Sequence, residues 1–224
     1  MKRKIELFMV LFLLIGAIVA SWKLSELSAS VADVQKDTNE EVVIVIDPGH
    51  GGEDPGKVGV NDALEKDINL QIAQKLKPLL EAEGIKIVMT REDDEVPNDN
   101  RQDLQERVKM INDTNPSIVV CIHQNSFQDA DVKGAQVFYY TGSEISEKAA
   151  QILQEEFKAM DTSNAREIKA NDSYYILRKT EVPAVIVECG FLSNYEEAEK
   201  LVTEEYQDKI ASAICSGIIK WLDK

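Results

Sequence analysis

Histidine is scarce in this chain: of 224 residues only His50 and His123 carry an imidazole. Cysteine is nearly as rare, at Cys121, Cys189 and Cys215. Three cysteines cannot all pair with one another, which excludes a disulfide-stapled scaffold. Each lies in an apolar run where a small buried thiol is the ordinary reading. Positive charge is in deficit, 25 Lys and Arg against 40 Asp and Glu, for a formal net charge of −15. Residues 1–40 are balanced, because Lys2, Arg3, Lys4, Lys23 and Lys36 offset Glu6, Glu26, Asp33, Asp37 and Glu40, so the excess acid belongs to residues 41–224. A domain of that charge is a poor partner for nucleic acid. Anionic lipid repels it too, so any membrane attachment has to come from the N-terminus. Internal repeats and a separate binding module are also absent.

The N-terminus supplies such an attachment. MKRKIELFMVLFLLIGAIVASWK places Lys2, Arg3 and Lys4 before an apolar run from Leu7 to Ala20. Residues 1–23 therefore read as a signal anchor or a signal peptide. The run is long for a signal-peptide core and short of the roughly 20 apolar residues of a span. The weak SAS at Ser28 to Ser30 is the one cleavage candidate, which favours an uncleaved anchor. Positive charge ahead of the run puts the rest of the chain outside the cytoplasm. Residues 24–40, polar, small and aperiodic, read as a flexible linker. Residues 41–224 remain, enough for one well-buried domain and too few for two.

Within that domain strand-like and helix-like patterns alternate. β-Branched or apolar runs predict strands at 42–46, 85–90, 117–123, 134–140 and 183–188, with a further short one at 174–177. Apolar residues at helical spacing predict helices at 66–83, 101–112, 146–160 and 206–222. Pro78 predicts a kink or an irregular last turn in the first of these. The order implies an α/β domain with a mostly parallel, mixed sheet of about six strands, covered by helices on both faces.

Three apolar strands end in a side chain capable of chemistry: Asp47 after VVIVI, His123 at the end of SIVVCIH, and Glu188 at the end of AVIVE. Ligands of open α/β sheets bind beyond the carboxyl ends of strands, so these three converge on one crevice. His50 and Glu65 fall in loops at the same edge. His50, Glu65 and His123 together offer the two imidazoles and one carboxylate of a catalytic zinc site with an open fourth position. Glu188 is then the acid left over for proton transfer. Taken singly, His123 reads equally as a satisfied core histidine, and Glu65 as an acid favoured by a helix N-terminus. Asp47 reads as a residue that orients the loop or a ligand histidine. The glycines at 49, 51 and 52 also permit a phosphate cradle, but the spacing matches neither a Walker loop nor a dinucleotide fingerprint. A third option is a cysteine nucleophile, because Cys121 and His123 share a strand face.

Several segments in order, DPGHGGEDPGKVG, LEKDINL, TRE, ERVKMIN, IHQNS and VECGFLSN, resemble the zinc-dependent N-acetylmuramoyl-L-alanine amidase (amidase-3) family over nearly all of residues 42–222. The resemblance implies Zn2+ held by His50, Glu65 and His123, with Glu188 as catalytic acid/base. Asp47, Arg107, Gln124 and Asn125 are further candidates for orienting the ligands or contacting substrate. It implies hydrolysis of the amide between N-acetylmuramic acid and the L-alanine of the stem peptide. The alternative is a zinc carboxypeptidase or deacylase acting on another cell-wall amide. The short anchor and YQDKIASAICSGIIKWL are most similar to germination-specific spore cortex amidases, for which peptidoglycan is the substrate and muramic lactam formation follows. That likeness implies an extracytoplasmic or secreted location such as the forespore intermembrane space, and a regulatory or activating lipoprotein or other wall partner. Gln124, Lys57 and Cys189 depart from the usual family residues, the first two as possible modifiers of the substrate groove. The stretch 143–171 is too short to hold both a domain helix and the inserted plug helix of some relatives.

Overall fold

The computed structural model describes Lys23 and residues 41–223; the rest of the export signal expected over residues 1–23 and the linker expected over residues 24–40 lie outside the described residues. Six strands form one sheet in the order β2-β1-β3-β6-β4-β5. They are β1 (Val43–Pro48), β2 (Lys86–Met89), β3 (Ile118–Asn125), β4 (Gln136–Tyr140), β5 (Lys169–Asn171) and β6 (Ala184–Phe191). β1 is parallel to β2 and β3, and β3 is parallel to β6, whereas β4 is antiparallel to β6 and parallel to β5. The antiparallel turn follows from the connection between β3 and β4. It carries no helix, and a parallel return needs a crossover of about a dozen residues or more, usually helical.

The helices are α1 (Glu65–Ala82), α2 (Asn100–Thr114), α3 (Glu144–Met160), α4 (Tyr175–Lys179), α5 (Tyr195–Leu201) and α6 (Glu204–Leu222). They divide between the two faces of the sheet. Ile44, Ile46, Val120 and Val187 point into a large cluster with Ile72 and Leu76 of α1, Leu153 and Phe157 of α3, and Ile210 and Ile214 of α6. The alternate residues Val45, Cys121 and Ile186 point into a smaller cluster with Ile111 of α2 and Ile176 and Leu177 of α4. Burial on both faces accounts for the unbroken apolar runs of β1, β3 and β6. Among the described residues no helix is long and apolar enough to cross a membrane.

One expectation changes. The segment Tyr174 to Leu177 is not a strand; it leads into α4. Asn171 Oδ1 accepts the N–H groups of Ser173 and Tyr174, which turns the chain. Ile176 and Leu177 then enter the same cluster, which adjacent residues of a strand cannot do. The short edge strand is instead β5, five residues upstream. Pro78 lies inside α1, which continues through it to Ala82. Among the described residues, 144–171 holds α3, a loop and β5, with no further helix.

Candidate active site

Strand alternation sets the site up. Asp47, His123 and Glu188 lie two residues beyond Val45, Cys121 and Ile186 and so share the face of the smaller cluster, at the carboxyl ends of β1, β3 and β6. His123 and Glu188 are register partners across β3 and β6. Gly49 carries the chain off β1, and its N–H donates to the Ile122 carbonyl at 3.0 Å. A Cβ at Gly49 would fall 2.1 Å from the His123 ring, so only glycine lets β1 and that imidazole approach. The next residue, His50, is left-handed at φ 63°, a conformation that histidine tolerates better than most side chains.

His50, Glu65 and His123 bring one ligand atom each within 4.8 Å of one another. Glu65 Oε1 lies 3.0 Å from His123 Nδ1 and 3.3 Å from His50 Nε2. The carboxylate is fixed by backbone N–H donors: Gln124 to Oε1 at 3.0 Å and Lys57 to Oε2 at 2.7 Å. The other His50 nitrogen, Nδ1, is 2.9 Å from Asp54 Oδ2, and Gly56 N–H fixes the second Asp54 oxygen at 3.0 Å. Burial opposes a charged imidazole, but Glu65 and Asp54 outweigh it and push His50 up to about 9. Burial likewise opposes ionisation of Glu65, yet His123 and His50 hold it well below the usual carboxylate range. Two imidazoles and a buried, ionised carboxylate, one imidazole oriented by a second acid, make a donor set that calls for a cation. It fits zinc with an open position.

Two buried carboxylates flank this set. Asp47 Oδ1 accepts from Thr90 Oγ1 at 2.5 Å and from Arg107 Nη1 at 2.8 Å. Burial works against its charge, but Arg107 and Thr90 keep its pKa below the ordinary value. Arg107 also donates to the carbonyls of Pro48 and His50 and to Asp103. Glu188 is only 6% exposed, and its Oε2 has no hydrogen-bond partner among the described residues. Burial pushes it up to about 7, with His123 pulling down and Glu65 pushing further up.

The other expected residues fall in different places. Gln124 is buried rather than in the groove, and its Nε2 donates to Asn69 Oδ1 at 3.1 Å. Asn125 turns its side chain to the N–H of Ser126, and its carbonyl accepts from Leu192. Cys121 is fully buried, and burial together with Asp47 pushes its thiol well up, the opposite of an activated nucleophile. The phosphate-cradle reading also fails. The N–H groups of Gly49, Gly51 and Gly52 already donate to Ile122, Asp54 and Asp94 carbonyls.

Asp54, Asn69 and Arg91 escaped the sequence reading. Asp54 could have been found as the acid four residues after His50 in a tight Asp-Pro-Gly turn, and Asn69 as the polar residue one helical turn past Glu65. Arg91 lies within the TRE segment, but nothing in that segment assigns it a place at the site.

The family model described as N-acetylmuramoyl-L-alanine amidase matches residues 44–220. The germination-specific N-acetylmuramoyl-L-alanine amidase of Bacillus subtilis is 36% identical over 188 residues, covering 80% of this chain and 79% of the relative. The structure of the CwlD amidase from Clostridioides difficile in complex with the GerS lipoprotein superposes with a TM-score of 0.78 at 40% identity, covering 81% of this chain and 98% of that one. The catalytic domain of CwlV, an N-acetylmuramoyl-L-alanine amidase from Bacillus (Paenibacillus) polymyxa, gives 0.74 at 32% identity, over 81% of this chain and 98% of that one.

Proposed function

The chain belongs to the N-acetylmuramoyl-L-alanine amidase family, and from that premise we propose how its residues divide the work. It is a zinc-dependent peptidoglycan hydrolase that cleaves the amide between N-acetylmuramic acid and L-alanine. His50, Glu65 and His123 hold the metal. When bound, zinc supplies a Lewis acid that polarises the amide carbonyl and makes water a nucleophile at neutral pH. Glu188, register partner of His123, takes the proton from the attacking water and returns it to the departing alanine nitrogen. A carboxyl group poised at about 7 with a free oxygen can do both at neutral pH, and this is the observation that carries the reading. Asp47 and Arg107 remain outside the proton path and hold the loop that presents His50.

The likeness to the germination-specific amidase supports spore cortex as the substrate, and the likeness to CwlD bound to GerS supports a lipoprotein partner. Residues 1–23 act as the membrane anchor or signal and residues 24–40 as the tether, so that the catalytic domain of residues 41–224 works on the extracytoplasmic side, in the intermembrane space of the forespore. The test uses the full-length chain in detergent with purified cortex peptidoglycan. One zinc per chain and new N-terminal alanine in the digest are expected. Zinc with release of free D-alanine and a new carboxyl terminus would instead mark a carboxypeptidase, and a chain without zinc would end the enzymatic reading.

A further inference from the structure

The three ligands lie on separate segments of the chain, yet all are referred to one residue, Gly49. Its N–H is tied to Ile122, next to the ligand His123; a Cβ in place of its hydrogen would fall 2.1 Å from the His123 ring; its carbonyl leads into His50. That carbonyl accepts two buried donors, Arg91 Nη2 at 3.1 Å and Asn69 Nδ2 at 3.1 Å. Asn69 Nδ2 also lies 3.5 Å from Glu65 Oε1, and its own Oδ1 is held by Gln124. Arg91 reaches further: Nε donates to Pro48 O at 2.9 Å, Nη2 to Lys66 O at 2.7 Å, and Nη1 to Asp93 O at 2.9 Å. Lys66 is the residue after Glu65. One guanidinium therefore joins the segment carrying His50 to the helical turn carrying Glu65.

This is an expensive use of an arginine. Arg91 is 5% exposed and the four hydrogen bonds of its guanidinium all end on backbone carbonyls; Asp47, Asp94 and Asp103 favour its charge without a hydrogen bond, but burial and the neighbouring Arg107 outweigh them and pull its pKa below the ordinary value. Fold stability alone is better served by an apolar side chain of that size. A planar fork is needed where three backbone segments must be held at fixed spacing, and the point charge of lysine cannot span them.

We propose that Arg91 and Asn69 are positioning residues for the metal centre: by gripping the Gly49 carbonyl from two sides they set the distance between the His50 and Glu65 segments before metal arrives. The inference rests on His50, Glu65 and His123 being the ligands. Full-length Arg91→Lys, Arg91→Gln and Asn69→Ala chains are compared with the unaltered protein in two measurements that do not involve turnover. One is zinc affinity by competition with a chelator, well below the melting temperature of each metal-free chain. The other is the visible absorption of the cobalt(II) form, which reports ligand geometry. About 10- to 100-fold weaker zinc binding is expected in all three, with an altered cobalt spectrum, even in Arg91→Lys, which keeps the charge. Unchanged affinity and spectrum in folded variants, whatever their melting temperatures, would overturn the proposal and assign both residues to fold stability alone. If the Arg91 variants do not fold, Asn69→Ala decides by itself, because it removes the other donor from the same carbonyl. An unaltered protein that takes up no zinc overturns the ligand assignment as well; one that binds zinc no more tightly than its variants overturns only this inference.

Discussion

Asp47 and Glu188 are two buried carboxylates on one face and one edge of the same sheet, two strands apart, and their surroundings are opposite. Asp47 takes a hydroxyl and a guanidinium on its Oδ1 and sits below its ordinary pKa. Glu188 has an oxygen with no partner among the described residues and sits at about 7. Burial alone pushes any carboxyl group up; what separates the two is whether a cation and a donor arrive to offset it. The contrast shows how one strand end is used to hold the loop while another is kept free for chemistry.

The largest effect is expected where the free carboxylate is removed. Glu188→Gln should lower turnover on peptidoglycan by about 100- to 10,000-fold while zinc content stays at one per chain. Activity within a few-fold of the unaltered enzyme would leave Glu188 without its role. Asp47→Asn should act the other way, through stability. Removing one partner of the buried pair leaves Arg107 under-compensated, at a cost of about 3 to 5 kcal/mol in denaturant unfolding of the metal-free protein. A loss under about 1 kcal/mol would mean that Asp103 alone satisfies Arg107. The smallest effect separates the two by pH. Glu188 has a folded pKa above its ordinary 4.5, so its contribution is fully present below that value and is lost as pH rises through about 7. Above pH 7 metal-free Glu188→Gln should therefore be the more stable chain, by at most about 3 kcal/mol. Asp47, with its pKa depressed below 3.8, contributes stability above that value and loses it as pH falls further. Parallel pH profiles for the two variants, each taken relative to the unaltered protein, would erase the distinction.

Strand ends made much of this legible in the sequence. Val43–Pro48, Ile118–Asn125 and Ala184–Phe191 are buried on both faces, so their apolar runs are continuous and the first ionisable side chain after each stands out. What escaped depends on pairings across the chain. Arg91 matters because it meets carbonyls at positions 48, 49 and 66, a relation no window of sequence contains. The Tyr174 to Leu177 segment misled because aromatic and apolar neighbours look like a strand until the turn at Asn171 fixes their direction. Gln124, a candidate for orienting the ligands or contacting substrate, turns its side chain by strand alternation to the face opposite His123, where it is buried against Asn69.

The left-handed backbone of His50 has a consequence for ligand softness. Among residue types other than glycine, asparagine, aspartate and histidine are the ones enriched in that conformation. The turn therefore favours an occupant with a nitrogen or oxygen donor, which suits this corner of the site to a borderline ion before any ligand has touched metal.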